Sequence, residues 1–219
     1  MRHGHTGKVR SCPNQSKAHI RMRTLRILTL PSALLAAVLL LAGCTPAPPP
    51  APPANQAADA SLLAKLGLAN LDGGHLVESL DAIPLAERPE GVATSITARE
   101  VTVTDDQGRT EEVALPADSI YVSAAPYLSQ THDCYYHSPT GCVGELRNAE
   151  IDVTVTNAAT GEIVLTESTR TFDNGFVGLW LPRDIEARIT ITHAGKTATS
   201  IVSTIGDDAQ TCVTTLKLA

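Results

Sequence analysis

Hydrophobic positions divide the 219-residue chain into stretches of different period. Ile27 to Ala42 is a predominantly apolar, uncharged run of 16 residues, shorter than the about 20 that a membrane-spanning helix needs. Between Ala60 and Arg88, Leu62, Leu63, Leu66 and Leu68, then Leu76, Leu80 and Ile83, recur near helical spacing on either side of Gly73-Gly74. That pattern predicts two short helices separated by a glycine break. Beyond Pro89 the period falls to two and Val, Ile and Thr dominate. Val101 and Val103 precede Asp105-Asp106-Gln107-Gly108, a hairpin turn signal, and Val113 with Leu115 form the returning strand. Further strands are predicted at 151–155, 163–165, 178–181, 189–192, 199–203 and 213–218, separated by Gly, Asn and Asp turns. The expected fold is mainly β: a β-sandwich-like antiparallel domain preceded by a small helical segment. No repeat of 20 to 50 residues is visible, which argues against solenoids and propellers.

The N-terminal apolar run follows the basic stretch Arg21 to Arg26 and ends at Leu41-Ala42-Gly43-Cys44. A short basic region, a short apolar region and small residues before a Cys resemble the lipobox of bacterial lipoproteins, in which the Cys is acylated and becomes the new N-terminus. Met22 to Cys44 alone would make a complete signal, and an ordinary secretory signal with an incidental Cys is the alternative. Thr45 to Ala54 then places six prolines in ten residues, a polyproline II spacer that cannot pack. The expected organisation is a leader over 1–43, a lipid-anchor Cys and Pro-rich linker over 44–58, a short helical region over 59–93 and a β-rich metal-binding domain over 94–219. The leader and linker are expected to be disordered. The chain is expected to be extracytoplasmic and lipid-anchored to the bacterial membrane through Cys44, in a compartment that permits disulfides.

Charge is divided at the same place. Residues 1 to 43 hold seven Lys/Arg and no Asp or Glu, which leaves ten Lys/Arg against 23 Asp/Glu, a net −13, from Cys44 onward. So acidic a domain is a poor partner for nucleic acid, whose phosphates require a basic face. All seven aromatic residues lie between Tyr121 and Trp180, which marks that stretch as the densest part of the core.

Inside it, His132, Asp133, Cys134, His137, Cys142 and Glu145 fall within 14 residues, in a Pro- and Gly-containing segment between β runs. With Cys12 in the leader and Cys44 as anchor, three cysteines remain: Cys134, Cys142 and Cys212. An odd number leaves one thiol over if a single disulfide forms. Two readings stand side by side. A Cys134–Cys142 staple would close a nine-residue loop and contribute about 2.5 kcal/mol in the chain-entropy model. Alternatively, soft thiolates with imidazole suit Cu(I) or Zn(II). Cys212 shares strand parity with Leu216 and Leu218, so it is expected to face the apolar side of the last strand and could meet the loop there. His75, after the glycine break, reads as a capping or solvated residue, and His193 as a rim residue at a strand end.

Four strings resemble, in order, the CueP family of extracytoplasmic copper-binding proteins: Tyr121 to Tyr127; the Thr131-His132-x-Cys134-x-x-His137-x-x-Thr140-x-Cys142-x-Gly144-Glu145 run; Asn174 to Asp184; and Thr211-Cys212-x-Thr214-Thr215-Leu216. The resemblance runs from about residue 60 to the end. It implies copper handling in the cell envelope, with Cys134, Cys142 and Cys212 as copper ligands and His132 and His137 as supplementary ligands or supporting groups. The ion would be Cu(I), with zinc as a substitute. The ion would be kept for copper tolerance or delivery to a secreted copper enzyme through an acceptor protein, with His132 or His137 receiving or releasing it at the loop surface. The leader departs from the soluble periplasmic members. Two other readings remain. One is a thiol-redox protein, in which two thiols form a disulfide as two Cu(II) become Cu(I), or exchange with other disulfides. The other is a disulfide-stapled lipoprotein that binds no metal. Hydrolase motifs such as Gly-x-Ser-x-Gly and His-Glu-x-x-His are absent.

Overall fold

The computed structural model describes residues 61–219. The leader, the lipobox-like Leu41 to Cys44 and the Pro-rich linker lie outside the described residues. The described chain begins with α1 (Leu62–Lys65), α2 (Gly73–Asp81) and a 3-10 turn (Leu85–Glu87). Both helices start at side-chain caps, where Ser61 accepts from the Ala64 amide and Asp72 from the His75 amide. Gly73-Gly74 is therefore not a break between helices but the first turn of α2. Gly73 is required there because a Cβ would stand 2.1 Å from the Ala114 carbonyl oxygen.

Three sheets follow. β1 (Val92–Ile96), β2 (Glu100–Asp105) and β3 (Thr110–Ala114) form an antiparallel meander. Its apolar face, with Ile96, Val101 and Val103, packs on Leu62, Leu63, Leu76, Val77 and Leu80 of the helices. β5 (Glu150–Asn157), β6 (Ile163–Arg170), β8 (Glu186–His193) and β9 (Lys196–Ser203) form a four-stranded antiparallel sheet in the order β6-β5-β8-β9. Between these layers lies a mixed sheet of β10 (Cys212–Lys217), β4 (Ser119–Tyr127) and β7 (Val177–Pro182), in the order β10-β4-β7. β10 runs parallel to β4, the one parallel pairing among the described strands. The sandwich core forms where Ile120, Val122, Ala124, Leu179 and Leu216 meet Ile151, Val153, Val155, Ile189 and Ile191 of the four-stranded sheet.

β4 was not evident from alternation, because it has none. Residues 120–126 are all buried, since one face of the strand closes the sandwich core and the other meets the helical layer, and a strand covered on both faces loses its polar side. Tyr121, Ser123 and Ala125 occupy that second face. β10 carries a bulge between Val213 and Leu216. The extra residue reverses parity, so Val213, Leu216 and Leu218 join the sandwich core while Cys212 joins Ala125 and Phe176 on the opposite face. Cys212 is buried as expected, but not with its strand's leucines.

Candidate metal centre

Residues 128–149, between β4 and β5, contain no strand but are tied down along their length. The Glu145 carboxylate accepts from the amides of Leu128 (2.6 Å), Ser129 (2.9 Å) and Gln130 (3.3 Å), and from the Ser129 hydroxyl. The Ser129 hydroxyl and amide, aided by the other two amides, outweigh burial and hold its pKa down at about 2. Glu145 thus braces the loop and is not part of the Cys/His cluster. Thr211 bridges the loop to two strands, accepting from the His137 amide (3.0 Å) and donating to the Ile96 carbonyl (2.5 Å). The Tyr135 carbonyl accepts from the Thr211 and Cys212 amides, each at 3.0 Å. Arg88 donates to the Cys142 carbonyl at 2.8 Å. The Gly144 amide donates to the Asn174 carbonyl at 2.6 Å. A Cβ on Gly175, which has φ +82°, would lie 2.6 Å from the Gly144 oxygen, so two backbones meet where side chains cannot fit.

These ties bring the three cysteines together. Cys134 and Cys212 are joined in a disulfide across 78 residues, and Cys142 is the free thiol. The Cys134–Cys142 staple is therefore not the bond that forms, although the two sulfurs lie 3.5 Å apart. A cross-link between the loop and the last strand constrains a far longer segment, about 4.5 kcal/mol in the chain-entropy model against about 2.5 for a nine-residue loop.

Both histidines of the loop join the sulfurs, at different depths. His132 is half-buried, and its Nε2 is buried without a hydrogen-bond partner. His137 is fully buried, with Nδ1 3.9 Å from the Cys212 sulfur. Its Nε2 donates to Asp81 Oδ1 at 2.9 Å. His137 therefore does not stand at the loop surface, where transfer was expected. Asp81, the last residue of α2, is also fully buried. Its Oδ2 accepts from the Tyr121 and Ser123 hydroxyls, each at 2.9 Å, and Asn174 Nδ2 donates to its Oδ1 (2.6 Å) and carbonyl (3.1 Å). Burial raises Asp81, but His137 and these donors outweigh it and lower its pKa. For His137, burial disfavours the charged ring, yet the Asp81 carboxylate and Cys142 raise its pKa to about 9. For Cys142, burial pushes the thiol up, while His137 and then His132 bring it down to about 7. The result is a thiol poised to ionise beside an imidazole oriented by a carboxylate.

Two groups of three donors have their ligand atoms within 4.8 Å of one another: His132, Cys134 and Cys142, and His137, Cys142 and Cys212. Trigonal donors at about 2.3 Å from an ion stand about 4 Å apart, so both groups have the spacing one soft ion requires. Asp133 is exposed and takes no part. His75 bonds to Asp72 at the start of α2, and His193 bonds to the Glu150 carbonyl at the far end of β8, each away from the cluster as expected. Asp81, Tyr121, Ser123, Asn174 and Phe176 were not recognised as site residues. The available signal for Asp81 was a carboxylate four residues after Val77, on the apolar face of a helix.

A family model described as periplasmic copper-binding protein CueP matches residues 75–217, which span Asp81, the Cys/His loop, Asn174 and Cys212. The chain belongs to the CueP family. A solved structure described as the crystal structure of S.CueP is 36% identical, with a TM-score of 0.66, and the match covers 72% of this chain and 94% of that one. No curated protein matches. The residues present fit the family's metal: sulfur and imidazole donors are the set that soft copper prefers, and the buried His132 Nε2 lacks any protein partner.

Proposed function

We propose that this CueP-family protein holds copper as Cu(I) on the thiolates of Cys134, Cys142 and Cys212, with His132 and His137 as further donors. Copper is its cargo, kept for tolerance or handed to an acceptor such as a secreted copper enzyme. Zinc would compete for the same donors. In this reading acylated Cys44 anchors the chain to the membrane and the Pro-rich segment spaces the domain from it. The supporting observation is that three sulfurs and two imidazoles, drawn from a 22-residue loop and the last strand, converge around one thiol. Three thiolates require the Cys134–Cys212 bond to be opened first. A dithiol donor would supply two electrons and two protons and leave as its own disulfide. Three thiolates favour Cu(I) over harder ions. Anaerobic competition against a Cu(I) chelator, with protein reduced by a phosphine, tests this. Cys212→Ser should weaken binding, and wild-type strength in that variant would overturn the three-sulfur reading.

A thiol-redox role is favoured by one observation of its own: the Cys142 sulfur lies 3.5 Å from Cys134 of the disulfide, with a pKa of about 7. That is the arrangement in which a thiolate attacks a disulfide sulfur and releases the partner thiol. Reduced protein given Cu(II) anaerobically should then form two Cu(I) per disulfide made. Absence of thiol-dependent reduction would leave a binder only.

A further inference from the structure

The candidate donors form two overlapping sets rather than one. His132, Cys134 and Cys142 are all half-buried, whereas His137 and Cys212 are wholly buried, and Cys142 is common to both sets. Phe176 packs beside both imidazoles, its ring centroid 6.2 Å from that of His132 and 4.6 Å from that of His137. The outer set reaches a surface opening through His132. A cleft of about 240 Å³ is lined by Gln130, Thr131, His132, Val143, Gly144 and Glu145. Val143 is 45% exposed on its wall, and Leu128, at the start of the same braced loop, is 39% exposed.

Resting on the copper reading above, we infer that this cleft is the port through which Cu(I) is exchanged, with His132 the ligand at its inner end and Cys142 passing the ion to and from His137 and Cys212. Four features carry this. The His132 Nε2 atom is buried and makes no hydrogen bond, so a buried polar atom stands open to a ligand. The inner donors are closed to any incoming ligand, so a soft donor from an acceptor, thiolate or imidazole, can meet the ion only at the outer set. Sharing Cys142 lets the ion change neighbours one at a time while keeping a sulfur throughout. Exposed Val143 gives the acceptor an apolar wall against which to seat its ligand.

The test separates rate from affinity. Full-length protein, reduced and loaded with Cu(I) anaerobically, is mixed with the chelator bicinchoninate, and transfer is followed in time beside an equilibrium competition. His132→Gln removes the port ligand at similar volume, and Val143→Trp narrows the cleft without touching a donor. Val143→Trp should keep equilibrium affinity within about threefold while slowing transfer about tenfold, equivalent to about 1.4 kcal/mol of barrier. His132→Gln should weaken affinity and yet slow transfer, whereas loss of an ordinary ligand alone would speed release. Unchanged transfer rates in both variants would overturn the port. So would faster transfer from His132→Gln, because His132 would then hold the ion at equilibrium without serving as its way out. Wild-type protein that takes up no Cu(I) defeats the copper reading itself, a result visible before any variant is made.

Discussion

Asp81 governs the buried half of the centre. A carboxylate with no exposure survives only when its charge is matched, and here one imidazole, two hydroxyls and one amide match it. Its bond to Nε2 leaves His137 Nδ1 facing sulfur, the carboxylate–histidine arrangement that orients metal-binding imidazoles. It also sustains the charge on His137 that brings Cys142 to about 7. Asp81→Asn keeps the shape and removes the charge. Cu(I) affinity should fall about 10- to 100-fold, and the pH midpoint for alkylation of Cys142 in metal-free oxidised protein should move upward. An unmoved midpoint would show that Asp81 does not act through His137. The Cys/His cluster was legible in the sequence because few residue types carry that chemistry and most of them lie within one short segment. Asp81 was not, since it lies more than 50 residues away and a polar helix-end residue is ordinary until its burial is known.

At the scale of elements, the loop between β4 and β5 is held in place by bonds to other elements, and Glu145 is its chief internal brace. A carboxylate whose pKa falls from the usual 4.5 to about 2 on folding contributes stability that is present above about 4.5 and is lost as pH falls through about 2. Amide exchange at Leu128, Ser129 and Gln130 reads this directly. Protection relative to the intrinsic rate should persist near pH 4 and collapse toward pH 2. Glu145→Gln should show weaker protection with no such pH dependence, and identical profiles for the two proteins would contradict the brace. Most strands were legible from alternation because one of their faces meets solvent or a polar edge. β4 escaped because both its faces are covered. The face presented by Cys212 escaped because the bulge after Val213 breaks the parity from which it was inferred. Gly73-Gly74 read as a break because glycine disfavours helix interiors, whereas Gly73 serves close packing against Ala114 in a first turn capped by Asp72.

In the molecule as a whole, the candidate centre sits where distant parts of the chain meet: the end of α2, the braced loop, the 174–176 turn and the start of β10. The family match over 75–217 encloses all four. Among the described residues no helix is long and apolar enough to cross a membrane, and the anchor proposed at Cys44 precedes them. The central claim is that copper, once bound, is held by these three cysteines. X-ray absorption at the copper edge of reduced protein loaded anaerobically with one Cu(I) tests it most directly. The account predicts a Cu(I) edge and a first shell dominated by sulfur, with fewer sulfur neighbours after Cys212→Ser. A first shell of nitrogen and oxygen alone, or a sulfur shell unchanged by that substitution, would contradict it.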